Sequence, residues 1–236
     1  MSFNSPTSAD RLENAITGRL FRPLNSLVRF GRRSPLGAVA AILILALVLM
    51  SIIGPFVAPY DPERIGVAKK YAWPSSEHLL GADILGRDVL SRVLNGAWVS
   101  MLVGVAASLG GTMVGGVMGL ASGYWGGKTD AVIQRIVDIL MAFPVILLAM
   151  ALLTALDRSL NTLIIAIAVP FIPYGARVVR ANTMVIKETQ YVDAARAIGA
   201  SDLRIIFRHI VPGCTASYTV LTTGLIGVAI ITESAL

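Results

Sequence analysis

A single cysteine, Cys214, is the whole thiol content of this 236-residue chain. That excludes an intrachain disulfide framework and leaves no cysteine pair for a metal site. Histidine is almost as scarce. His78 and His209 stand far apart, neither in a ligand motif, so no metal site is expected. Charge is thin as well: 14% of residues are charged, where a soluble domain carries roughly 25%. A chain so poor in charge, and 55% hydrophobic, is expected to be solvated by lipid. The nucleophile-elbow pattern and the His-Glu-x-x-His helix are both missing, so neither catalytic residues nor a cofactor site are expected. The net charge of +6 would suit nucleic acid in a soluble protein. In a lipid-solvated one it reflects Lys and Arg retained at the cytoplasmic face, and no nucleic-acid partner is expected.

What is present is long apolar runs. Crossing a bilayer core of about 30 Å takes about 20 apolar residues as helix. Five stretches reach or approach that length: residues 34–60, a run within 93–127, 139–156, 159–176, and a last one from Thr215 to the final residue. The first is a poor cleaved signal, because its leading segment is long and no Ala-x-Ala site comes after it. It reads as a retained anchor. Fourteen of the twenty basic residues fall before the first run, between the second and third, or between the fourth and fifth. Arg64, Lys69, Lys70, Arg87, Arg92 and Arg158 fall on the other side. This bias predicts a cytoplasmic N-terminus, with His78 and Arg158 outside. The last run ends without cap or flanking charge, so a continuation of that span is expected.

Within the second run Ala107, Gly111, Gly115, Gly119 and Gly123 recur every fourth residue. That spacing places them on one helix face, where bare backbone lets a neighbouring helix approach closely. Helix packing is the expected role of Gly111, Gly115 and Gly119; a sliding surface along a pathway is the alternative. Pro144 falls inside the third run, and Pro170 and Pro173 inside the fourth, so kinks are expected in both. Asp138 is placed at the cytoplasmic boundary, with Arg135 three residues earlier as its expected partner. Glu233, late in the fifth run, is a candidate functional acid.

The stretch Ser-Gly-Tyr-Trp-Gly-Gly-Lys-Thr-Asp, residues 122–130, approaches a nucleotide-binding loop. Gly127, Lys128 and Thr129 fit, but Ser122 stands where the first glycine is needed. No apolar strand precedes it, and no connection is long enough for a nucleotide fold. It reads as a tight turn, with Tyr124 and Trp125 as interface anchors.

Residues 187–213 are too charged to span and predict two short helices. The first runs from about Lys187 to Ile198, and Gly199 suits the left-handed residue that ends a helix. Ser201 or Asp202 is the expected cap of the second, and Pro212 its expected stop. A helix pair of this kind, with small residues at Ala194, Ala195 and Ala197, suits docking in a groove of another protein.

This stretch resembles the EAA loop of ABC-importer permeases: Glu-Ala-Ala, three residues, Gly, nine residues, Ile-x-Leu-Pro. Asp193 stands for the Glu; Ala194, Ala195, Gly199 and Pro212 match; His209 replaces the Ile and Val211 the Leu. The segment from His78 to Trp98, the segment from Gly123 to Pro144 and the closing Ile-Thr-Glu-Ser-Ala-Leu are similar to the C-type permease subunit of dipeptide, oligopeptide and nickel importers. The resemblance implies an all-α polytopic transmembrane bundle, with five spans visible of six. It implies a division into a cytoplasmic segment (1–34), a first transmembrane helix (35–58), an extracytoplasmic segment (59–92) and a permease core (93–236). It implies transport of di- or oligopeptides, or alternatively of nickel or another small solute, in a bacterial or archaeal plasma membrane. A membrane scaffold or embedded enzyme is the reading from a different class. The implied partners are a second permease subunit, two ATP-hydrolysing subunits and an extracytoplasmic solute-binding protein. Energy would come from the separate ATPases, docking on Asp193, Ala194, Ala195, Gly199, His209 and Pro212.

Overall fold

A computed structural model describes residues 34–157 and 159–236. The basic N-terminal segment and Arg158, both of which bear on the orientation of the chain, lie outside the described residues. Among the described residues four helices are long and apolar enough to cross a membrane, or five if one sharply bent pair counts as a single span. The described residues divide into two compact units, one up to Leu94 and one from Asn95 onward.

In the first unit, α1 (Pro35–Val57) is apolar all round. Its Leu, Ile and Val side chains are almost all exposed, as suits a helix facing lipid. Gly54 is the close-approach point: a Cβ there would meet the Leu94 carbonyl oxygen at 3.0 Å. Residues 58–88 form an irregular but densely hydrogen-bonded segment. Gly81 and Gly86 take φ of +74° and +71° in its turns, and Ala82 forms an antiparallel bridge with Asp88.

This segment is organised around two carboxylates. Asp88 is buried, and its Oδ2 accepts from the Ser91 N–H and Oγ, each at 2.8 Å. Its Oδ1 lies 3.0 Å from His78 Nδ1. Burial pushes the Asp88 carboxyl up, but the Ser91 and His78 hydrogen bonds outweigh it and hold the group below the ordinary range. Asp83 accepts from the Arg87 and Leu85 N–H groups and pairs with the Arg87 and Arg92 guanidiniums. The Arg87 N–H is the largest influence on Asp83 and, with the Arg87 side chain and the Leu85 N–H, outweighs desolvation to hold the carboxyl down to about 2. Tyr60, beyond the end of α1, donates its N–H to Ser91 Oγ and lies against the His78 ring at 4.9 Å.

The second unit is a helix bundle. α2 (Val89–Trp125) enters it and ends at the Gly126–Gly127 turn. α3 (Gly127–Met141) and α4 (Val145–Ala155) come next, bent by 88° at their junction. The sequence predicts one kinked span over 139–156; instead Pro144 separates two helices. Proline disfavours helical backbone at the residue before it, here Phe143, so the break precedes the ring. At 1.5 Å per residue, the 11 residues of α4 reach about 16 Å, short of a bilayer core.

α5 (Leu160–Ala168) is capped by Ser159, whose Oγ accepts from the Thr162 N–H. It passes through one 3-10 turn (Val169–Phe171) into α6 (Ile172–Ile186). Pro170 and Pro173 fall in the 3-10 turn and the first turn after it, and the whole remains one 27-residue span. α7 (Gln190–Ala197) and α8 (Asp202–Ile205) form a hairpin; a π-helical segment (Ile206–Ile210) then leads into α9 (Val211–Ala235).

The four-residue glycine repeat of α2 packs on the span formed by α5 and α6. A Cβ at Gly111, Gly115 or Gly119 would strike the carbonyl oxygen of Ala168, Ile172 or Ala176 in turn. Gly175 returns the contact, its missing Cβ falling 2.7 Å from the Thr112 carbonyl. Two backbones thus meet without side chains between them, where dispersion and lipid release drive association. Beside this seam Val103, Ala107, Ile167, Phe171, Leu225 and Ala229 form one buried cluster.

Candidate functional site

The hairpin of α7 and α8 starts where α6 ends at Ile186. Thr189 turns the chain there, its Oγ1 donating to the Ile186 carbonyl at 2.6 Å. α7 carries Asp193 in its first turn and Arg196 in its last, the arrangement that complements the helix dipole. The two pair at 3.2 Å across the exposed face.

The helix ends in a Schellman motif. The Gly199 N–H donates to the Arg196 carbonyl at 2.9 Å, and the Ala200 N–H reaches back to the Ala195 carbonyl at 3.0 Å. Gly199 holds φ at +79°, the left-handed conformation this closure requires. Ser201 occupies the cap position of α8, but no side-chain capping bond forms from it.

Beneath the hairpin lies a second buried cluster. Val192 and Ala195 of α7 meet Ile205, Ile206 and Ile210, with Val179 and Cys214 below them. The sequence predicts that Pro212 stops the second helix. It does not: Asp202–Ala235 runs as one 34-residue helix. The reason is the π segment, in which the Val211 N–H bonds to the Ile206 carbonyl, five residues back. Pro212 comes after the wider turn, in the first turn of α9, where a missing donor costs little.

Of the residues singled out, Ala194, Ala195 and His209 come together in one groove of about 500 Å³, which they share with Tyr191, Ile198, Ala200, Arg204 and Arg208. The Tyr191 and His209 rings lie 5.8 Å apart across it. Asp193, Gly199 and Pro212 are exposed and lie outside that groove.

Three polar ties fix the surroundings. Tyr124 Oη, at the end of α2, donates to Asp202 Oδ1 at 2.7 Å. Arg180 of α6 grips Asp130 of α3 with two bonds, 2.7 Å from Nε and 2.6 Å from Nη2. Arg177 pairs with Asp138 at 2.8 Å, in place of the Arg135 expected from the three-residue spacing. Asp138 lies in the last turn of α3, and the partner across the helix interface takes it.

The turn that approaches a nucleotide loop is filled by its own side chains. Ser122, at the missing-glycine position, is buried; it donates to Asp130 Oδ1 and accepts from Gln134 Nε2 at 3.0 Å. Gly126 and Gly127 take φ of +65° and +52° and join two helices, so that a helix and not a strand comes directly before them. Among the described residues no group of three or more His, Cys, Asp or Glu is placed to hold a metal.

The sequence singles out Glu233, but neither the side chain it pairs with nor a second polar cluster in the bundle. Thr112, Thr222 and Tyr218 cluster in the bundle, with Thr222 Oγ1 donating to Thr112 Oγ1 at 3.1 Å and Tyr218 Oη also 3.1 Å from Thr112. Ser100 Oγ donates to Glu233 Oε2 at 2.8 Å. No periodicity marks Ser or Thr in an apolar helix as paired, since each can also bond back to its own turn.

Comparison with known proteins respects the same division of the chain. Residues 111–235 match the family described as binding-protein-dependent transport system inner membrane component. Residues 28–74 match the N-terminal TM domain of oligopeptide transport permease C. A protein of Brucella suis named as a peptide transport system permease is 41% identical over 198 residues, 84% of this chain and 67% of the relative. The glutathione transport system permease protein GsiD of Pectobacterium atrosepticum is 40% identical over 205 residues, 86% of this chain and 68% of its own. GsiD of Escherichia coli is 41% identical over 215 residues, 91% and 71% of the two chains.

Proposed function

Because this chain belongs to the family of binding-protein-dependent transport system inner membrane components, and is therefore a multi-pass transport permease rather than an enzyme, we propose that it forms half of the pathway of an ABC importer for di- or oligopeptides. The Brucella and GsiD relatives carry peptide or glutathione in their names, which favours a peptide-like cargo over nickel. In this reading an extracytoplasmic binding protein delivers the cargo. A second permease subunit completes the pathway, and two ATPase subunits supply the energy.

The observation that carries the ATPase role is the α7–α8 hairpin. It projects between two spans on a Schellman turn and exposes a groove beside Asp193 and Gly199. A rigid, short helix pair fixed on a buried cluster can transmit a push into both α6 and α9, which it joins. Asp193, Ala194, Ala195, Gly199, His209 and Pro212 are the proposed docking residues. The glycines at 111, 115 and 119 serve the packing of the pathway helices, and the 93–236 core carries the transport role.

The proposed orientation puts the N-terminus, Lys128 and the hairpin in the cytoplasm and the 59–92 segment outside. In a Cys214→Ser background, a cysteine at Trp73 should react with an impermeant maleimide in intact cells and one at Lys128 should not. The reverse pattern would invert the topology. The transport reading is tested by reconstituting the complete importer and measuring ATP-dependent uptake of labelled di- and tripeptides beside Ni²⁺. Uptake of the peptides alone is expected; uptake of Ni²⁺ alone would overturn the cargo.

A further inference from the structure

The arginines in and beside the hairpin divide into two groups. Arg177, Arg180 and Arg196 each hold a carboxylate, on Asp138, Asp130 and Asp193. Arg204 and Arg208 hold none among the described residues, and both line the groove. They stand four residues apart, on one edge of the helix. Two of the hairpin's acids are committed elsewhere, Asp193 to Arg196 and Asp202 to Tyr124, and the third, Glu188, does not line the groove. The opposite wall is small and apolar, formed by Ala194, Ala195 and Ala200 and closed by Ile198. Ile198 itself is 86% exposed, next to the left-handed Gly199.

We infer that this groove receives an acidic side chain of the partner ATPase, seated between Arg204 and Arg208, with an apolar side chain of the same segment covering Ile198 and the alanines. The inference rests on the proposed docking role of the hairpin and names the chemistry of the surface that docks. Two guanidiniums one turn apart offer fork-shaped donor sets that match a carboxylate in two directions. Small alanine side chains leave room beside them, and the groove's 500 Å³ holds a side chain rather than a whole helix. A lipid phosphate would satisfy the arginines but leave the apolar wall and Ile198 uncovered. A protein segment with an acid beside an apolar residue satisfies both halves.

The experiment is co-elution of the ATPase subunits with the affinity-tagged permease pair, assembled in nanodiscs of either phosphatidylcholine alone or phosphatidylcholine with phosphatidylglycerol. The double variant R204E/R208E should weaken ATPase retention at least about tenfold in both lipids, as expected when a desolvated charge pair is reversed. R204K/R208K should keep part of it, and I198S should weaken it without any change of charge. Each variant is checked first for normal yield and normal pairing with the second permease. A194W, which fills the groove, tests the docking reading separately. If A194W abolished retention while R204E/R208E left it unchanged, the hairpin would still dock but the acidic complement would be wrong. If neither changed retention, the docking reading itself would fall. Loss of retention by R204E/R208E only in discs with phosphatidylglycerol would assign the arginines to lipid headgroups and overturn the inference.

Discussion

Tyr124 and Asp202, 78 positions apart, are joined by a 2.7 Å hydrogen bond from the tyrosine hydroxyl to Oδ1 of the carboxylate. The bond ties the end of the long span α2 to the first residue of α8, and so adds to the buried cluster that holds the hairpin. The carboxylate is exposed, so the net worth is about 1 kcal/mol, roughly a fivefold change in an opening equilibrium. Tyr124→Phe should insert and assemble normally. Hydrogen exchange of the amides in Asp202–Ile205 should then quicken about fivefold, with uptake per ATP hydrolysed falling. Asp202→Asn keeps an acceptor oxygen and should lie between the two. Unchanged exchange in Tyr124→Phe would show that the buried cluster alone positions the hairpin.

The glycine seam makes a sharper mechanical prediction. A Cβ added at Gly115 would run into the Ile172 carbonyl and come within 2.8 Å of the Ala176 nitrogen. Neither is the end of a flexible side chain, so the helices must separate. Overpacking of this kind costs about 1–3 kcal/mol. Gly115→Ala should lower the melting midpoint of the detergent-solubilised permease pair by several degrees. Gly110→Ala, whose Cβ enters open space, should leave the midpoint unchanged or raise it slightly, since alanine is the better helix former. Equal midpoints for the two variants would mean that the seam is not tight.

The 58–88 segment should be acid-sensitive in a defined window. Asp83 is held down to about 2, and Asp88 is also depressed, relative to an unfolded carboxyl near 3.8. A carboxyl depressed in the fold adds stability that is fully present above the unfolded value. That stability is lost as pH falls through the folded one. Protease cleavage within residues 58–88 of the assembled permease pair in nanodiscs, after brief exposure to each pH, should therefore stay low down to about pH 4 and rise below it. Asp83→Asn removes one of the two depressed groups and should flatten the rise while raising cleavage at neutral pH. Cleavage that rose instead between pH 5 and 7 would point to a group other than these two carboxylates.

The parts of the fold and the site that were legible in the sequence are those whose signals are local. Apolar length and the four-residue glycine repeat are local, and they carried the helical spans and the face of α2 that packs. The left-handed Gly199 was legible because a glycine between two helix-forming runs has few other uses. Partner choice was not local. Arg135 shares a helix face with Asp138, yet Arg177 of another helix takes the carboxylate. Pro212 looks like a stop in the sequence because the penalty for an interior proline assumes an α-helical ladder, and the π turn at Ile206–Ile210 removes that assumption. The groove beside Arg204 and Arg208 needed the hairpin closed, which only the Schellman turn and the cluster beneath it bring about.

The central claim is that the α7–α8 hairpin couples ATP hydrolysis to transport, and Gly199 tests it most directly. At φ of +79°, with nothing within 4 Å of its missing Cβ, a side chain there meets backbone strain and no collision. Strain of this kind costs about 1–2 kcal/mol and falls on the hairpin turn alone. The measurement is substrate-stimulated ATP hydrolysis and peptide uptake, taken together, in the reconstituted importer carrying Gly199→Val. Normal assembly of the permease pair with hydrolysis and uptake no longer proportional, or with ATPase docking weakened about tenfold, is the predicted result. Wild-type values for both hydrolysis and uptake would contradict the claim, and the hairpin would then be a surface loop with no part in coupling.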